Sequence, residues 1–275
     1  MPTIAEKRRT FRQLHESGCF VIPNPWDTGS ARYLQGLGFK ALASTSAGFA
    51  WSLAHPDATV PREAVLAHLR DLVTATDVPL NADFENGFAS DPDGVTESVR
   101  LCVETGVAGL SIEDSTHDPA APLLPMDVAV ERMRAARGAI DAAGGDVILT
   151  GRAECFVAGL PDLDEAIARL RAYSAAGADC LYAPGITTRE QIAAVVAAVA
   201  PKPVNLLVSG PSELSVDEIA SLGVRRVSVG GGLARVAWTA VANAATVLAQ
   251  EGSFAGFRAS GPSVNMSGFF REDMA

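Results

Sequence analysis

The chain has 275 residues, 48% of them hydrophobic, and its 22 basic and 32 acidic side chains give a net charge of −10. That length suits one large α/β domain or two small ones, and the apolar share is ample for a core. An acidic balance without a basic run excludes a nucleic-acid footprint, and acids spread among apolar segments exclude a disordered acidic chain.

The opening stretch MPTIAEKRRTFRQLHESG carries charge but no apolar centre, so an extra N-terminal helix is expected there rather than a signal peptide. No apolar run approaches the roughly 20 residues of a membrane span, so no membrane partner is expected. Strands are then predicted at CFVIPN (19–24), KALAST (40–45), PLNADFE (79–85) and GLSIED (109–114). Four more follow at VILTGRAE (147–154), DCLYAP (179–184), PVNLLV (203–208) and RVSVGG (226–231). Amphipathic helical segments alternate with them near 27–36, 62–75, 93–105, 126–143, 162–176, 187–199, 215–222 and 233–250. Asp27 and Asp162 read as N-caps, and Gly36, Gly106, Gly177 and Gly223 as helix stops.

Strand–helix pairs repeated in this way predict a parallel sheet closed into one (β/α)₈ TIM barrel over residues 1–275. A C-terminal extension follows, whose Gly/Ser-rich tail at 251–275 is expected to fray or to pack on a neighbouring subunit. The cysteines Cys19, Cys102, Cys155 and Cys180 form no CxxC pair and read as reduced thiols of a cytoplasmic protein.

Barrel enzymes carry their chemistry at the C-terminal ends of the strands. Those ends hold Asn24, Trp26 and Asp27, then Ser44–Thr45–Ser46, then Asp83 and Glu85, then Glu113 and Asp114. Arg152, Glu154, Tyr182, Asn205 and Gly230–Gly232 continue the series, whereas Lys40, Lys202, Arg225 and Arg226 fall at the opposite, stabilising face. Asn81, Asp83 and Glu85 alternate, which on a strand points them one way. Each has a plainer reading: Asp27 or Asp114 could cap a helix, and Arg152 could simply pair with Glu113 or Glu154.

Convergence at one barrel mouth favours a site. Asp83, Glu85 and Glu113 are oxygen ligands with no His or Cys beside them, which suits Mg²⁺ or Mn²⁺ and argues against zinc. A divalent ion lets adjacent carboxylates stay ionised together. Arg152 can clamp a carboxylate bidentately, and the turn Ser44–Thr45–Ser46–Ala47–Gly48 offers hydroxyl and N–H groups to a second anionic oxygen. Only Lys7, Lys40 and Lys202 occur, none at the mouth, so Schiff-base chemistry is disfavoured.

The strings STSAGFA…HPDATV, NADFENGF, GLSIEDS, LTGRAECF, GADCLYAPGI, PVNLLV and GVRRVSVGGGLAR together resemble the isocitrate lyase/phosphoenolpyruvate mutase superfamily over residues 5–250. The resemblance implies a Mg²⁺-dependent barrel acting on small 2-oxo acids, a homo-oligomer (dimer or tetramer) with a helix swapped between subunits. It also implies metal-site acids at Asp57, Asp83, Glu85 and Glu113, a substrate arginine at Arg152, an asparagine at Asn205 and an anion-binding turn at 44–48. Asp83, as well as Arg152 and Asn205, is expected to face the substrate.

The sequence departs from the superfamily after the fourth strand, where EDSTHDPAAPLLP lacks the lyases' acid/base Cys and the mutases' Lys and Asn. The lyases' glutamate after the sixth strand falls on Pro184. His117 is that loop's own acid/base candidate, so Arg152, Glu113 and His117 form the expected catalytic set. The leading expectation is C–C cleavage of an oxaloacetate-like or C4-branched 2-oxo acid through a metal-stabilised enolate. The alternatives are C–P bond hydrolysis or rearrangement of a phosphonopyruvate-like substrate, and non-catalytic binding of a 2-oxo acid.

Overall fold

The computed structural model describes residues 2–258 and 264–273. The elements run α1 (Ile4–Leu14), β1 (Phe20–Ile22), α2 (Thr28–Gly36), β2 (Leu42–Ala43), α3 (Ser46–Ser52), α4 (Arg62–Ala75), β3 (Leu80–Asp83), α5 (Pro92–Glu104) and β4 (Gly109–Glu113). They continue with α6 (Met126–Ala142), β5 (Ile148–Arg152), α7 (Leu163–Ala175), β6 (Cys180–Tyr182), α8 (Arg189–Val199), β7 (Val204–Leu207), α9 (Val216–Ser221), β8 (Arg226–Ser228), α10 (Gly232–Glu251) and α11 (Met266–Asp273).

All ladder pairs are parallel, in the order β1-β8-β7-β6-β5-β4-β3-β2. The ring is drawn together at β1 and β2 by the Ala43 N–H donating to the Pro23 carbonyl at 3.1 Å and Asn24 Nδ2 donating to the Ser44 carbonyl at 2.8 Å. The expected (β/α)₈ barrel is therefore the fold.

Strand alternation decides which side chains meet the helices and which fill the barrel. Leu80 and Ala82, Leu110 and Ile112, Leu149, Leu181, Leu206 and Val227 join the apolar layer beneath the helices. Asn81 and Asp83, Ser111, Arg152, Asn205, Arg226 and Ser228 point inward instead. Barrels of this kind usually fill that space with Val, Ile and Leu; here polar side chains take many of the places, beside apolar Ile22 and Ala43.

The predicted elements all form, with shifts of a few residues at their ends. Gly36 is not the stop of α2 but its last residue; Leu37 follows as C-cap and Gly38, at φ +92°, makes the turn. Ser46–Gly48, expected as a turn, open α3, with Thr45 Oγ1 accepting from the Gly48 N–H at 3.2 Å. Glu85 lies beyond β3 at φ +48°, so strand alternation does not orient it. Arg226 opens β8 at the N-terminal end of the barrel, as expected, but its side chain points into the interior and lines the cavity, because it shares the inward phase of Ser228 two residues on.

Beneath the barrel, Phe11 of α1 is fully buried against Ile22, Ala41, Ala108, Ile148 and Cys180. At the other end of the chain, α11 packs on the same chain's α2 through the edge-on Tyr33–Phe269 pair at 5.1 Å and the Arg32–Asp273 ion pair. The remainder of the predicted tail, 259–263 and 274–275, lies outside the described residues.

With 20 residues, α10 is long and apolar enough to cross a membrane by length and composition alone. Its hydropathy comes from Ala and Val interleaved with Arg235, Thr239, Asn243 and Gln250, so no continuous apolar run marks it.

Candidate active site

The side chains that the strands aim upward meet around Arg152. From the end of β5, its Nη1 lies 3.2 Å from Asp83 Oδ1 and 3.0 Å from Glu113 Oε2, and its Nε donates to Glu154. The guanidinium also stands 5.2 Å from the centre of the Tyr182 ring. Adjacent parallel strands set Glu113, Arg152 and Tyr182 side by side, since Glu113 pairs with Arg152 and Arg152 with Tyr182 across β4, β5 and β6.

The segment at 44–48 braces this cluster from the side. The Ser46 N–H donates to Asp83 Oδ2 at 3.0 Å, and the Asp83 N–H to Ser44 Oγ at 2.9 Å. Ser44 and Thr45 are buried; Thr45, Ser46 and Ala47 line the central cavity, whereas Ser44 and Gly48 do not. A Cβ on Gly48 would crowd Thr45, Trp26 and Ala234, so the glycine is there for close packing.

The acids outnumber the cations, and their proton affinities reflect it. Burial, then Asp83 and Glu113, push the Glu85 carboxyl up to about 8. Burial also raises Asp83, against the pull of Arg152. Glu154 reaches about 8 through burial, which outweighs Arg152. For Glu113 burial pulls upward, but Arg152 and the His117 hydrogen bond hold it below the usual carboxylate range. His117 sits at φ +60° with Nε2 2.9 Å from Glu113 Oε1, and that bond raises its proton affinity.

Asp57, on the loop after α3, lines the same cavity and adds negative charge beside Asp83 and Glu85. Among the described residues, no three acids, histidines or cysteines stand in ready-made metal-binding geometry. The carboxylates lean on Arg152 instead. The donor set nevertheless fits a hard cation: oxygen donors in charge excess, two of them with raised proton affinity.

Asn205 lines the cavity with Nδ2 2.9 Å from Ser228 Oγ and Oδ1 2.8 Å from Arg226 Nε. Asp114 does not cap a helix. It is buried behind the site, accepting from Arg169, from Tyr173 Oη at 2.6 Å and from the Glu154 N–H at 2.8 Å. Asp27 does cap α2. His55, near Thr59, does not line the central cavity.

Site residues outside the expected set are Glu154, Tyr182, Arg226 and Arg235. Glu154 and Tyr182 were visible as strand-end residues but carried no role of their own. Tyr182 shares the central cavity, about 290 Å³ in volume, with Asp57, Asp83 and Arg152, whereas Glu154 does not line it and reaches it only through Arg152.

A parallel barrel whose strand ends gather acids around an arginine belongs to the class of (β/α)₈ enzymes. The family model for phosphoenolpyruvate phosphomutase matches residues 11–249, and the chain belongs to that family, within the lyases and mutases of the isocitrate lyase/phosphoenolpyruvate mutase superfamily. An oxaloacetate decarboxylase of Paraburkholderia xenovorans (strain LB400) is 34% identical over 233 residues, 80% of this chain and 74% of that protein. A crystal structure from Burkholderia cenocepacia J2315, described provisionally as a lyase/mutase, is 47% identical with a TM-score of 0.93, covering 98% of this chain and 97% of that one. Phosphonopyruvate hydrolase in complex with oxalate and Mg²⁺ is 26% identical with a TM-score of 0.82, covering 98% and 97%.

Proposed function

We propose that this protein is a Mg²⁺-dependent lyase that cleaves a C–C bond of a small, oxaloacetate-like 2-oxo acid. The observation that carries the reading is the grouping of Asp83, Glu113 and Arg152 at the ends of β3, β4 and β5. The similarity to an oxaloacetate decarboxylase supports the substrate class, and that to a Mg²⁺-containing hydrolase supports the ion. Mn²⁺ suits the same oxygen donors.

Asp83, Glu85 and Glu113, with Asp57 from the loop, would hold the cation. When bound, it supplies Lewis-acid stabilisation of negative charge on a ligand oxygen. Arg152 clamps the substrate carboxylate while Glu154 and the Tyr182 ring fix its plane. Asn205, Thr45 and Ser46 line the cavity around the remaining oxygens. His117 Nε2, kept protonated by Glu113, is the proton donor that replaces the lyases' loop cysteine.

Along α10, Val236, Trp238 and Val241 are exposed, which supports burial of this face in a homo-oligomer. The free thiols of Cys19, Cys102, Cys155 and Cys180 suit a cytoplasmic enzyme.

The test is oxaloacetate turnover by wild-type protein and Asp83→Ala, with Mg²⁺ and after chelation. Wild-type turnover should vanish with the metal, and the variant should be inactive in both conditions. Turnover by Asp83→Ala without added metal overturns the reading. Phosphonopyruvate, assayed alongside, separates C–C from C–P chemistry.

A further inference from the structure

The central cavity descends past Arg152 to a second arginine. Arg226 is 3% exposed, and its guanidinium lines the cavity from below. Nε donates to Asn205 Oδ1 at 2.8 Å and Nη2 to Thr150 Oγ1 at 3.1 Å, while Nη1 lies 3.4 Å from both Asn81 Oδ1 and His15 Nε2. Every one of these partners is neutral; burial, reinforced by Arg226 itself, pushes the His15 imidazole down to about 3.

A guanidinium keeps its charge in any protein setting, and a buried charge is costly without a counter-charge. Arg152 has carboxylates on several sides, and Arg169 has Asp114 and Glu165. Among the described residues, none supplies a carboxylate to Arg226. Arg132 is also buried without an ion pair, but it donates to the Ala89 and Asn86 carbonyls and lines no part of this cavity.

The height of the guanidinium is set by the strands. Its partners Asn81 and Thr150 stand two residues below Asp83 and Arg152 on β3 and β5. At about 3.3 Å per residue, that is roughly 6.6 Å further down the tilted strands from the acid–arginine level. Between the two levels the shaft is lined by the small side chains of Ser111 from β4 and Ser228 from β8.

We infer that Arg226 is the floor of the substrate cavity, an anion subsite that takes the second acidic group of a short dicarboxylate. The 2-oxo acid end stays at the level of Arg152, and the distal carboxylate meets the buried guanidinium with Asn205 and Ser228 beside it. This deepens the lyase reading and rests on it: the subsite selects dicarboxylates over monocarboxylates.

Calorimetric titration of the Mg²⁺-loaded protein tests the subsite, with pyruvate and 3,3-difluorooxaloacetate as one- and two-carboxylate probes. Wild-type protein should bind the dicarboxylate about 10- to 100-fold more tightly, the scale of one charge-assisted contact. Arg226→Gln should erase that margin and leave pyruvate affinity within about twofold. Should Arg226→Gln fail to fold, Arg226→Lys keeps the charge without the planar fork and should still lose at least about threefold of the margin. A folded Arg226 variant that keeps the full margin overturns the inference, as does an equal loss for both probes. If wild-type protein binds neither 2-oxo acid, the lyase reading falls, yet malonate binding that disappears in the variant still supports the subsite.

Discussion

Arg152 and Glu113 face each other across neighbouring strands with 3.0 Å between Nη1 and Oε2, inside a cluster where acids outnumber bases. The pair gives the site its resting charge balance. Removing the cation leaves Asp83, Glu113 and Glu154 to repel one another in a buried setting.

Arg152→Gln is therefore expected to cost stability, about 3 kcal/mol by analogy with broken buried pairs. Added Mg²⁺ should restore part of the loss, because a divalent ion can take over the charge that the guanidinium held. Thermal melts of wild type and variant across a Mg²⁺ series check this, and a Mg²⁺-insensitive loss counts against it. Turnover should fall at least about 100-fold, since the substrate clamp is gone.

For His117, the Glu113 hydrogen bond raises the folded-state proton affinity. The sign is that of a stabilised cation: the pair's contribution is complete below the ordinary imidazole value of about 6.5 and fades as pH climbs through the raised folded value. His117→Gln should lower kcat/KM by about 100-fold and flatten the alkaline limb of its pH profile. An unchanged profile would show that the proton comes from elsewhere.

His68 predicts the opposite behaviour. It stacks on Phe49 at 3.8 Å and 7°, and burial pushes it down to about 4. The unfolded chain takes up the proton near pH 6.5 and the folded one only near 4, so stability drops as pH falls across that window, by about 3 kcal/mol. His68→Phe keeps the stack and should remove much of that acid sensitivity in urea titrations at pH 7 and pH 4.5.

On α10, Val236 and Val241 are 70% and 57% exposed. The paired change Val236→Glu with Val241→Glu should convert an oligomer to monomers in analytical ultracentrifugation, with the barrel still folded. Unaltered assembly would place the interface elsewhere.

The barrel was legible because its signals are local: apolar runs, Asp27 and Asp162 caps, and glycines such as Gly106 and Gly177 at positive φ. Arg152, Asp83 and Glu113 were legible too, since period-two alternation and strand ends fix their direction. Strand alternation does not reach Glu85, because its left-handed backbone beyond the end of β3, not a strand, sets its position. Arg226 is legible as a residue of the lower end and its phase as inward, but only the closed barrel shows that its side chain reaches the cavity. Nor does sequence spacing reveal that Asp114 spends its oxygens on Arg169, Tyr173 and the Glu154 N–H, since those partners come from distant segments.

The N-terminal helix closes the lower end of the barrel, with Phe11 as its plug and the His15 ring 4.6 Å above it against Arg226. The shaft is thus a blind well, entered and left by one door. Any molecule that reaches the lower arginine must first pass the carboxylates at the rim, so the order of arrival is imposed by architecture. Cutting away the first sixteen residues would turn that well into a pipe open to water at both ends.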